Sequence, residues 1–459
     1  MTWRLAFLML QVLGLSACSV LSWPSYEAPK LDLPPPAVAA APVIIDRQWW
    51  KVFEDPELDR LVADALAHNL DLAKAAANIA EARANLKAVS SQLSPRLDAG
   101  GRGSVVQREF DLGPGQVDDV VRSIGVGAQA RWEWDLWERI KQSNDAALAR
   151  LASSEHTRNA VELSLSYAVT EAYFRLLATE NQLRVVRESQ RSLKEITNLE
   201  LRRWKAQVGT ELVYRQSLAE LASTEARIPP LEFAVARTSM AIQDLVGRSP
   251  RELNDYVPRA NNLPTLPATP QTFDSDLLLR RPDVASAEQL LVAAHADINA
   301  AQAERYPRMS LALLADVLLS TTSRAISGVP VYWDITAGFS APLYDGGLID
   351  SRVEGAQARR DKAEAHYRYT VSVAFRETYE AMLNRDASDV QLAANLNEVD
   401  MRRKSVALTE RSYEAGRSSK FEVLNELLKL YNAQLQVVDA RLNQYVARAM
   451  LYKALGGGF

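Results

Sequence analysis

The residue types that most often carry catalysis are few and scattered in this chain of 459 residues. The four histidines are His68, His156, His295 and His366, and none has a second ligand at a spacing typical of a metal site. Serine, histidine and aspartate occur without the signature of a nucleophile elbow or a catalytic triad. The sequence therefore predicts no enzyme, no metal site and no cofactor, and we interpret each histidine as a packed or solvated side chain.

Two further segments could be mistaken for binding motifs. Gly100, Gly101 and Gly103 lie in a predicted strand with no helix after it, so they are not a phosphate-binding loop and instead favour strand curvature. The segment "RRPDVASAE" reads as a helix start, because Pro282 suits the first turn and Asp283 favours a helix N-terminus.

Cys18 is the only cysteine, so it cannot form a disulfide within the chain. It follows Arg4, an apolar stretch over residues 5–15, and the small residues Ser16 and Ala17, which together are typical of a secretory signal peptide. The stretch resembles a bacterial lipobox, in which cleavage leaves a lipid-modified cysteine. We therefore expect a signal peptide over 1–17 and a lipidated, proline-rich leader over 18–48. The resemblance to lipoproteins also implies the outer membrane, because Ser19 and not an aspartate follows the cysteine. The alternative is an ordinary signal peptide with a chance cysteine.

The overall composition excludes several classes of protein. With 47% hydrophobic and 24% charged residues the chain is not disordered, and a net charge of −4 argues against a nucleic-acid partner. No apolar run approaches the ~20 residues of a membrane-spanning helix, so any bilayer crossing must use strands.

The stretch "RSIGVGAQARWEWDLW" over residues 122–137 alternates between apolar and polar residues, as a half-buried strand does. One face would carry Ile124, Val126, Ala128, Ala130, Trp132, Trp134 and Leu136. We expect four such strands in the chain, over about 96–106, 122–137, 308–319 and 331–344.

The plan of helix, two strands, long helix and returning helix occurs twice, as a first repeat over 49–248 and a second over 275–459 with a connecting segment over 249–274. Residues 140–208 contain neither glycine nor proline and predict a helix of roughly 100 Å, matched by residues 348–415. Gly209 and Gly416 would reverse these helices, and Pro229 with Pro230 should kink the first returning helix.

Four strands cannot cross a bilayer as an open sheet, because the edge strands would leave backbone groups unpaired in hydrocarbon. Two copies would supply eight strands, and three would supply twelve and leave room for a passage. Trp132, Trp134 and Trp333 suit aromatic girdle positions at the membrane interface. The alternative is a set of sandwich strands in a soluble protein.

Nearly all of the mature chain resembles TolC-like outer-membrane efflux proteins, in particular the lipoprotein branch of the OprM/NodT type. The stretches that carry the resemblance are "WWKVFEDPELDRLVADALAHNLDL", "SDLLLRRPDVASAEQLLVAAHADINAAQAERYPRMSL" and "YEAGRSSKFEVLNELLKLYNAQ". The resemblance implies a mainly α fold: long coiled-coil-like hairpins in an α-barrel, an equatorial belt, and four strands per protomer in a twelve-stranded barrel shared by a homotrimer. It also implies that the protein is an exit duct partnered by a periplasmic adaptor and an inner-membrane pump, and that it performs no chemistry.

In that family the closed end of the tunnel lies at the helical tips, near Gly209 and Gly416 in this sequence. Glu422 matches an acidic pore-facing position by the resemblance, and Asn425 stands where related ducts often have a second acid. Val213 and Tyr214 stand where the family usually has Leu-Asp, and the first turn looks about two residues shorter, which favours a hydrophobic or aromatic constriction. Glu422 could equally be an ordinary solvated charge. The other class of function is a non-conducting lipoprotein that acts as a coiled-coil scaffold or adaptor.

Overall fold

A computed structural model describes residues 23–31, 46–111, 116–248, 266, 278–321, 326–327 and 331–459. The expected signal peptide, Cys18 and nearly all of the connecting segment lie outside these residues. The chain divides into two compact units. The first contains Asn78–Glu155, Ser286–Arg368 and the N-terminal segment to Leu31; the second contains His156–Ala285, Tyr369–Phe459 and Asp32–Ala77.

The protein is mostly helical. The α-helices among the described residues are α1 (Pro56–His68), α2 (Leu70–Ser90), α3 (Arg139–Lys205), α4 (Glu211–Ala226), α5 (Ile228–Leu245), α6 (Pro282–Ala303), α7 (Leu348–Glu414) and α8 (Lys420–Ala454). Short 3₁₀ helices cover Trp49–Phe53 and Ser91–Leu93. None of the helices in the described ranges has the length and apolarity of a membrane span.

The sheet belongs to the first unit. Its strands are β1 (Arg96–Asp111), β2 (Gln116–Trp134), β3 (Arg308–Thr321), the short β4 (Ile326–Ser327) and β5 (Val331–Ser340). All pairings are antiparallel: β1 pairs with β2, β2 with β3, and β3 with both β4 and β5. Within the described residues β1 and β5 are thus the edges of the sheet. The four long strands of the fold predicted from the sequence are present.

Some boundaries differ from those expected. β1 continues to Asp111, because the polar residues after Val106 pair with β2 as an antiparallel ribbon. β2 ends at Trp134 and β5 at Ser340, since Asp135 and Asp345 then accept hydrogen bonds from backbone N–H groups at the starts of α3 and α7. The first returning helix is interrupted next to its prolines, as expected. It divides into α4 and α5 at Arg227, which puts Pro229 in the first turn of α5, where its missing N–H costs nothing.

The second unit has an aromatic core. Phe53 packs against Phe174 with ring centroids 4.9 Å apart, and Phe174 stacks on Tyr445 at 4.6 Å. The hydroxyl of the buried Tyr173 donates to Asp55, whose other carboxylate oxygen caps the N-terminus of α1. This cluster fixes the chain before α1 against the long helix α3.

Candidate functional site

The turn between α3 and α4 contains residues 206–210, and we call it the first tip turn. Gln207 has φ of +60°, in the left-handed region that few side chains adopt. Its N–H donates to Trp204 O at 2.9 Å, and the N–H of Val208 donates to Arg203 O at 3.0 Å. These two bonds form a Schellman motif, which satisfies the last carbonyl groups of α3.

The turn between α7 and α8, residues 415–419, is the second tip turn and has the same hydrogen-bond frame. Gly416 has φ of +71°, its N–H donates to Tyr413 O at 2.9 Å, and Arg417 N–H donates to Ser412 O at 2.8 Å. The counterpart of Gly416 in the first tip turn is therefore Gln207, and not Gly209 as the sequence suggested. Within this chain the two turns are equal in length.

Gly209 has a different role from Gly416. A Cβ atom at Gly209 would lie 3.0 Å from the Cβ of Arg203, so the position favours glycine because the backbone folds closely over the end of α3. At the matching position in the second tip turn, Ser418 donates its hydroxyl to Thr409 O at 3.2 Å.

Both returning helices begin with a side-chain cap. Thr210 Oγ1 accepts from Val213 N–H, and Ser419 Oγ accepts from Glu422 N–H at 3.3 Å. Val213 and Glu422 are therefore equivalent positions, each at the third residue of its helix. The Ser419 hydroxyl also donates to the Glu422 carboxylate at 3.3 Å, and the Glu422 side chain is exposed. At this level one hairpin presents an acid and the other presents an apolar side chain.

The remaining candidate residues at the tips are partly covered. Tyr214 stacks on Trp204 with ring centroids 5.4 Å apart, and Arg215 lies 5.8 Å from the Tyr214 ring. Asn425 is half-buried, one turn beyond Glu422. Tyr214 is thus held back against the end of α3 by its own hairpin.

A direct hydrogen bond joins the two hairpins near their tips. Arg203 on α3 donates from Nη1 to the hydroxyl oxygen of Tyr413 on α7 at 3.1 Å, and Lys420 Nζ lies 5.0 Å from the Tyr413 ring. Behind this contact, Leu193 and Ile196 pack with Leu424. Sequence reasoning missed this link, because its partners are distant in sequence and carry no local motif.

The register of the sheet divides it into an apolar and a polar face. The apolar face gathers these side chains from successive strands: Leu97, Ala99, Ile124, Val126, Trp132, Trp134, Leu311, Leu313, Val317, Val331, Trp333, Ile335 and Phe339. Trp134 pairs with Met309 near the end that adjoins the helices, whereas Trp333 pairs with Ala315 about 20 Å further along the strands. The three tryptophans therefore do not lie at one level.

On the polar face, an ion pair crosses a strand. Arg102 on β1 donates from Nη2 to Asp316 on β3 at 2.7 Å, over the intervening β2. The path is open because β2 has Gly125 and Gly127 there; a Cβ at Gly127 would lie 2.8 Å from Ala315 O and 3.0 Å from Asp316 Oδ1. The glycines are plain in the sequence, but their partner becomes evident only from the register.

The N-terminal segment at 23–31 is held within the first unit by hydrogen bonds to its helices and to the end of β2. Trp23 donates its indole N–H to Trp137 O at 3.1 Å, and Trp137 donates to Pro307 O at 2.7 Å. His295 lies 2.8 Å from Pro24 O through Nε2, and Arg368 donates to Lys30 O at 3.1 Å. Trp137 therefore links this segment, the end of β2 and the start of β3. The described residues contain no group of three acidic, histidine or cysteine side chains that could hold a metal ion.

Comparisons with known proteins agree with this architecture. A family model described as "Outer membrane efflux protein" matches residues 61–248 and 275–457. The pyoverdine export outer membrane protein OpmQ of Pseudomonas putida is 30% identical over 453 residues, covering 97% of this chain and 96% of its own length. The antibiotic efflux pump outer membrane protein ArpC of Pseudomonas putida is 28% identical over 473 residues, covering 100% of this chain and 96% of its own.

Solved structures give the same result. The outer-membrane channel OprN has a TM-score of 0.85 at 26% identity and covers 95% of this chain and 99% of its own. The MtrE outer membrane channel of Neisseria gonorrhoeae has a TM-score of 0.79 at 25% identity, covering 95% of this chain and 98% of its own. These relatives do not favour the alternative of a non-conducting scaffold.

Proposed function

The chain belongs to the outer membrane efflux protein family, and from this premise we propose that three copies of it form the exit duct of a tripartite efflux system. It is an outer-membrane transport component that works with pump and adaptor proteins, and it is not an enzyme. In the proposed duct, substrates delivered by an inner-membrane pump and a periplasmic adaptor pass through the trimer without chemical change.

The observation that carries the proposal is the division of the sheet into two faces between two open edges. The apolar face exposes large side chains such as Ile124 and Trp333, at 68% each, which a soluble monomer would bury. A hydrocarbon surround makes such a face stable. The edges β1 and β5 must then pair, because hydrocarbon offers no partner to their N–H and C=O groups.

Pairing between copies satisfies both edges at once. β5 of one copy would pair with β1 of the next, so three copies close a barrel of twelve strands with the apolar face outside. The polar face, with Arg102 and Asp316, then lines the lumen. Trp132 and Trp134 would lie at the interface nearer the helices, and Trp333 within the apolar band.

We place the narrow point of the duct at the two tip turns. In a trimer, Glu422 contributes one acid from each copy, while the equivalent Val213 contributes an apolar side chain. Tyr214 and Asn425 flank these positions, and Gly209 and Gly416 shape the turns. The proposed aperture therefore combines one set of acids with an apolar set, and both kinds of ring gate known pores.

We also propose that Cys18 carries the lipid anchor. Only residues 19–22 separate it from Trp23, so the cysteine lies within about 20 Å of the Trp23 contact with Trp137. That contact is next to the ends of β2 and β3, where the proposed membrane interface begins. The segment 23–31 would thus hold the anchor at the same level as Trp134.

Electrical recordings test the duct. We expect the purified, detergent-solubilised protein to run as an oligomer that heat dissociates, and to give discrete conductance steps in planar bilayers. The matched control is a variant with Gly127→Val, in which the side chain would meet Ala315 O and disturb the sheet. A wild-type protein that inserts as an oligomer but never conducts would contradict the duct and would favour a scaffold.

A further inference from the structure

The polar face of the sheet holds several arginines at the end of the strands nearest the helices, which we call the helix end. The register can be followed toward that end from the ion pair of Arg102 with Asp316. The cations reached in this way are Arg96 on β1, Arg131 on β2 and Arg308 on β3. Because every second residue of a strand lies on the same face, all three share the face of Arg102.

Two of these arginines have no acidic partner. Arg96 lies 2.8 Å from Asp98. Arg131 instead donates from Nη2 to the neutral amide oxygen of Gln129 at 2.6 Å. Neither Arg131 nor Arg308 has a carboxylate within 4.0 Å among the described residues, and both side chains are exposed. Their charges are therefore not neutralised by a direct contact within this part of the chain.

The nearest acids along β2 are already engaged elsewhere. Glu133, two residues from Arg131 on the same face, accepts from Arg139 Nη2 at 2.9 Å. Asp135, just after β2, accepts from two backbone N–H groups at the start of α3 at 3.0 and 2.7 Å. Both acids thus stabilise the junction of β2 with α3 and leave Arg131 without an ion pair.

The stability of the sheet does not account for Arg131. The register places Arg96 and Arg131 directly opposite each other on neighbouring strands. Like charges in such pairs destabilise strand pairing. Further along the same face, Asp316 neutralises Arg102 at 2.7 Å, so the sheet contains a device for compensating an arginine that it does not use at Arg131. A bound anion would relieve the repulsion between Arg96 and Arg131.

A cavity of about 740 Å³ adjoins this pair of arginines. Its lining residues include Arg96, Arg131, Ser94 and Ser310. A guanidinium group binds carboxylate or phosphate through two parallel hydrogen bonds, and a serine hydroxyl can donate a further one. The residues of the cavity are therefore suited to an anionic group.

We propose that Arg131 and Arg308, with Arg96 beside them, form an arginine collar that binds carboxylate or phosphate groups of water-soluble solutes in transit. The proposal rests on the proposed duct, in which three copies would present the collar to the lumen, and it adds a class of solute to that function. Rings of arginine are one way in which pores select anions. Since Asp316 neutralises Arg102, the collar is confined to the helix end among the described side chains.

Thiol reagents of opposite charge test the local field. Ser310→Cys places a thiol on the polar face between the levels of Arg131 and Arg308. Gly100→Cys places one beside the neutral ion pair, where an added Cβ meets no atom within 4 Å. We expect the ratio of the labelling rates with a sulfonate and a trimethylammonium methanethiosulfonate to be about tenfold higher at Ser310→Cys at low salt. In about 1 M salt, which shortens the screening length to ~3 Å, this difference should vanish.

Removal of single charges shows which residues produce the field. In the Ser310→Cys protein, Arg131→Gln and Arg308→Gln should each lower the ratio about threefold. Arg83→Gln makes the same charge change on α2, away from the sheet, and should leave the ratio unchanged. Wild-type protein, which retains Cys18, is the control for background labelling. Equal ratios at Ser310→Cys and Gly100→Cys, or equal effects of Arg131→Gln and Arg83→Gln, would overturn the collar.

Titration with a soluble polyanion tests the site itself. Calorimetry of the detergent-solubilised protein with inorganic tripolyphosphate should show saturable binding, which Arg131→Gln weakens about tenfold. Arg131→Lys keeps the charge but loses the planar fork, so it should retain the labelling ratio and weaken binding about threefold. Absence of saturable binding, an unchanged affinity in Arg131→Gln, or binding of phosphatidic acid micelles alone would each contradict the proposal.

The same experiments separate the collar from the duct. If the wild-type protein conducts in planar bilayers but does not bind tripolyphosphate, the collar fails while the duct stands. If it binds tripolyphosphate at Arg131 but never conducts, the duct fails and the anion site remains as a property of the sheet.

Discussion

The hydroxyl oxygen of Tyr413 accepts a hydrogen bond from Nη1 of Arg203 at 3.1 Å, and this is the contact that ties the end of α7 to the end of α3. Since both residues directly precede the tip turns, the bond holds the two hairpins together at the proposed aperture. Any widening of the tips that separates α3 from α7 must break it.

Removing this hydroxyl should loosen the tips. We expect Tyr413→Phe to raise the ratio of open to closed duct about fivefold, because a typical hydrogen bond is worth ~1 kcal/mol. Single-channel recording measures the ratio. Tyr431→Phe is the control, since it removes a hydroxyl that contacts Ser192 at 2.8 Å away from the turns, and it should leave gating unchanged. Equal effects of the two variants would disprove a specific role at the tips.

Neutralising Glu422 should reduce the preference for cations. In Glu422→Gln we expect the cation-to-anion permeability ratio to fall about fivefold, the equivalent of ~1 kcal/mol. Reversal potentials across a salt gradient give this ratio. Glu426→Gln makes the same charge change one turn further along, where Lys429 lies 2.7 Å away, and should have little effect. An unchanged ratio in Glu422→Gln would show that Glu422 is an ordinary solvated charge.

Adding a glycine at Gln207 and removing the glycine at Gly416 should change the stability of the protein in opposite directions. Gln207→Gly is expected to stabilise the protein by roughly 0.5–1 kcal/mol, because glycine adopts positive φ without the cost that a side chain adds. Gly416→Ala should destabilise it by about 1 kcal/mol for the same reason. Thermal unfolding followed by circular dichroism compares them, and shifts of the same sign in both variants would contradict the equivalence of the positions.

The glycines of β2 should differ from a neighbouring glycine. Gly127→Ala is expected to cost about 1–3 kcal/mol, because its Cβ would lie 2.8 Å from the backbone oxygen of Ala315. A methyl group added at its register partner Gly100 would meet no atom within 4 Å, so Gly100→Ala should be tolerated. Heat dissociation of the oligomer on gels reports the difference. Equal sensitivity of the two positions would rule out the close approach of Ala315 O to Gly127.

The acid stability of the helical unit should depend on Asp389. Burial alone would raise the pKa of this carboxyl, but hydrogen bonds from Arg448 and Gln444 outweigh burial and hold the pKa below its ordinary value. Its contribution is therefore present above about pH 4 and is lost as pH falls through the folded value. We therefore expect the free energy of unfolding to change less with pH in Asp389→Asn than in wild type, as measured by unfolding at a series of pH values between 3 and 7.

The control for Asp389 is a carboxyl whose pKa shifts in the opposite direction, Glu180. Burial raises the pKa of Glu180, so its charged form opposes folding at neutral pH. Glu180→Gln should therefore stabilise the protein at pH 7, whereas Asp389→Asn should destabilise it. If both variants shift the unfolding midpoint in the same direction at pH 7, the assignment of these pKa shifts is wrong.

The sequence could predict the fold because its main signals are local. A period of two over residues 122–134 and the absence of glycine and proline from α3 each identify one element without reference to the rest of the chain. The predicted ends of the elements were less accurate than the elements themselves. β1, for example, continues past Val106 because its backbone pairs with β2, and such pairing does not require a particular side-chain pattern.

The site was harder to predict because its contacts are distant in sequence. From the sequence, Gly209 was expected to reverse the chain after α3. The residue with positive φ is instead Gln207, and glutamine is not a residue type that indicates such a conformation. The pairs Arg102–Asp316 and Arg203–Tyr413 join the two halves of the sequence and follow only from the register of strands and the packing of helices.

The shared hydrogen-bond frame of the two tip turns has a consequence for the proposed aperture. Backbone groups and the caps Thr210 and Ser419 maintain both bends, so the residue at the third helical position contributes little to the bend itself. Val213 and Glu422 show that the same turn accommodates either an apolar or an acidic side chain at this position. At the proposed aperture, single substitutions at this position can therefore change which solutes pass, while the turn that carries the residue keeps its backbone structure.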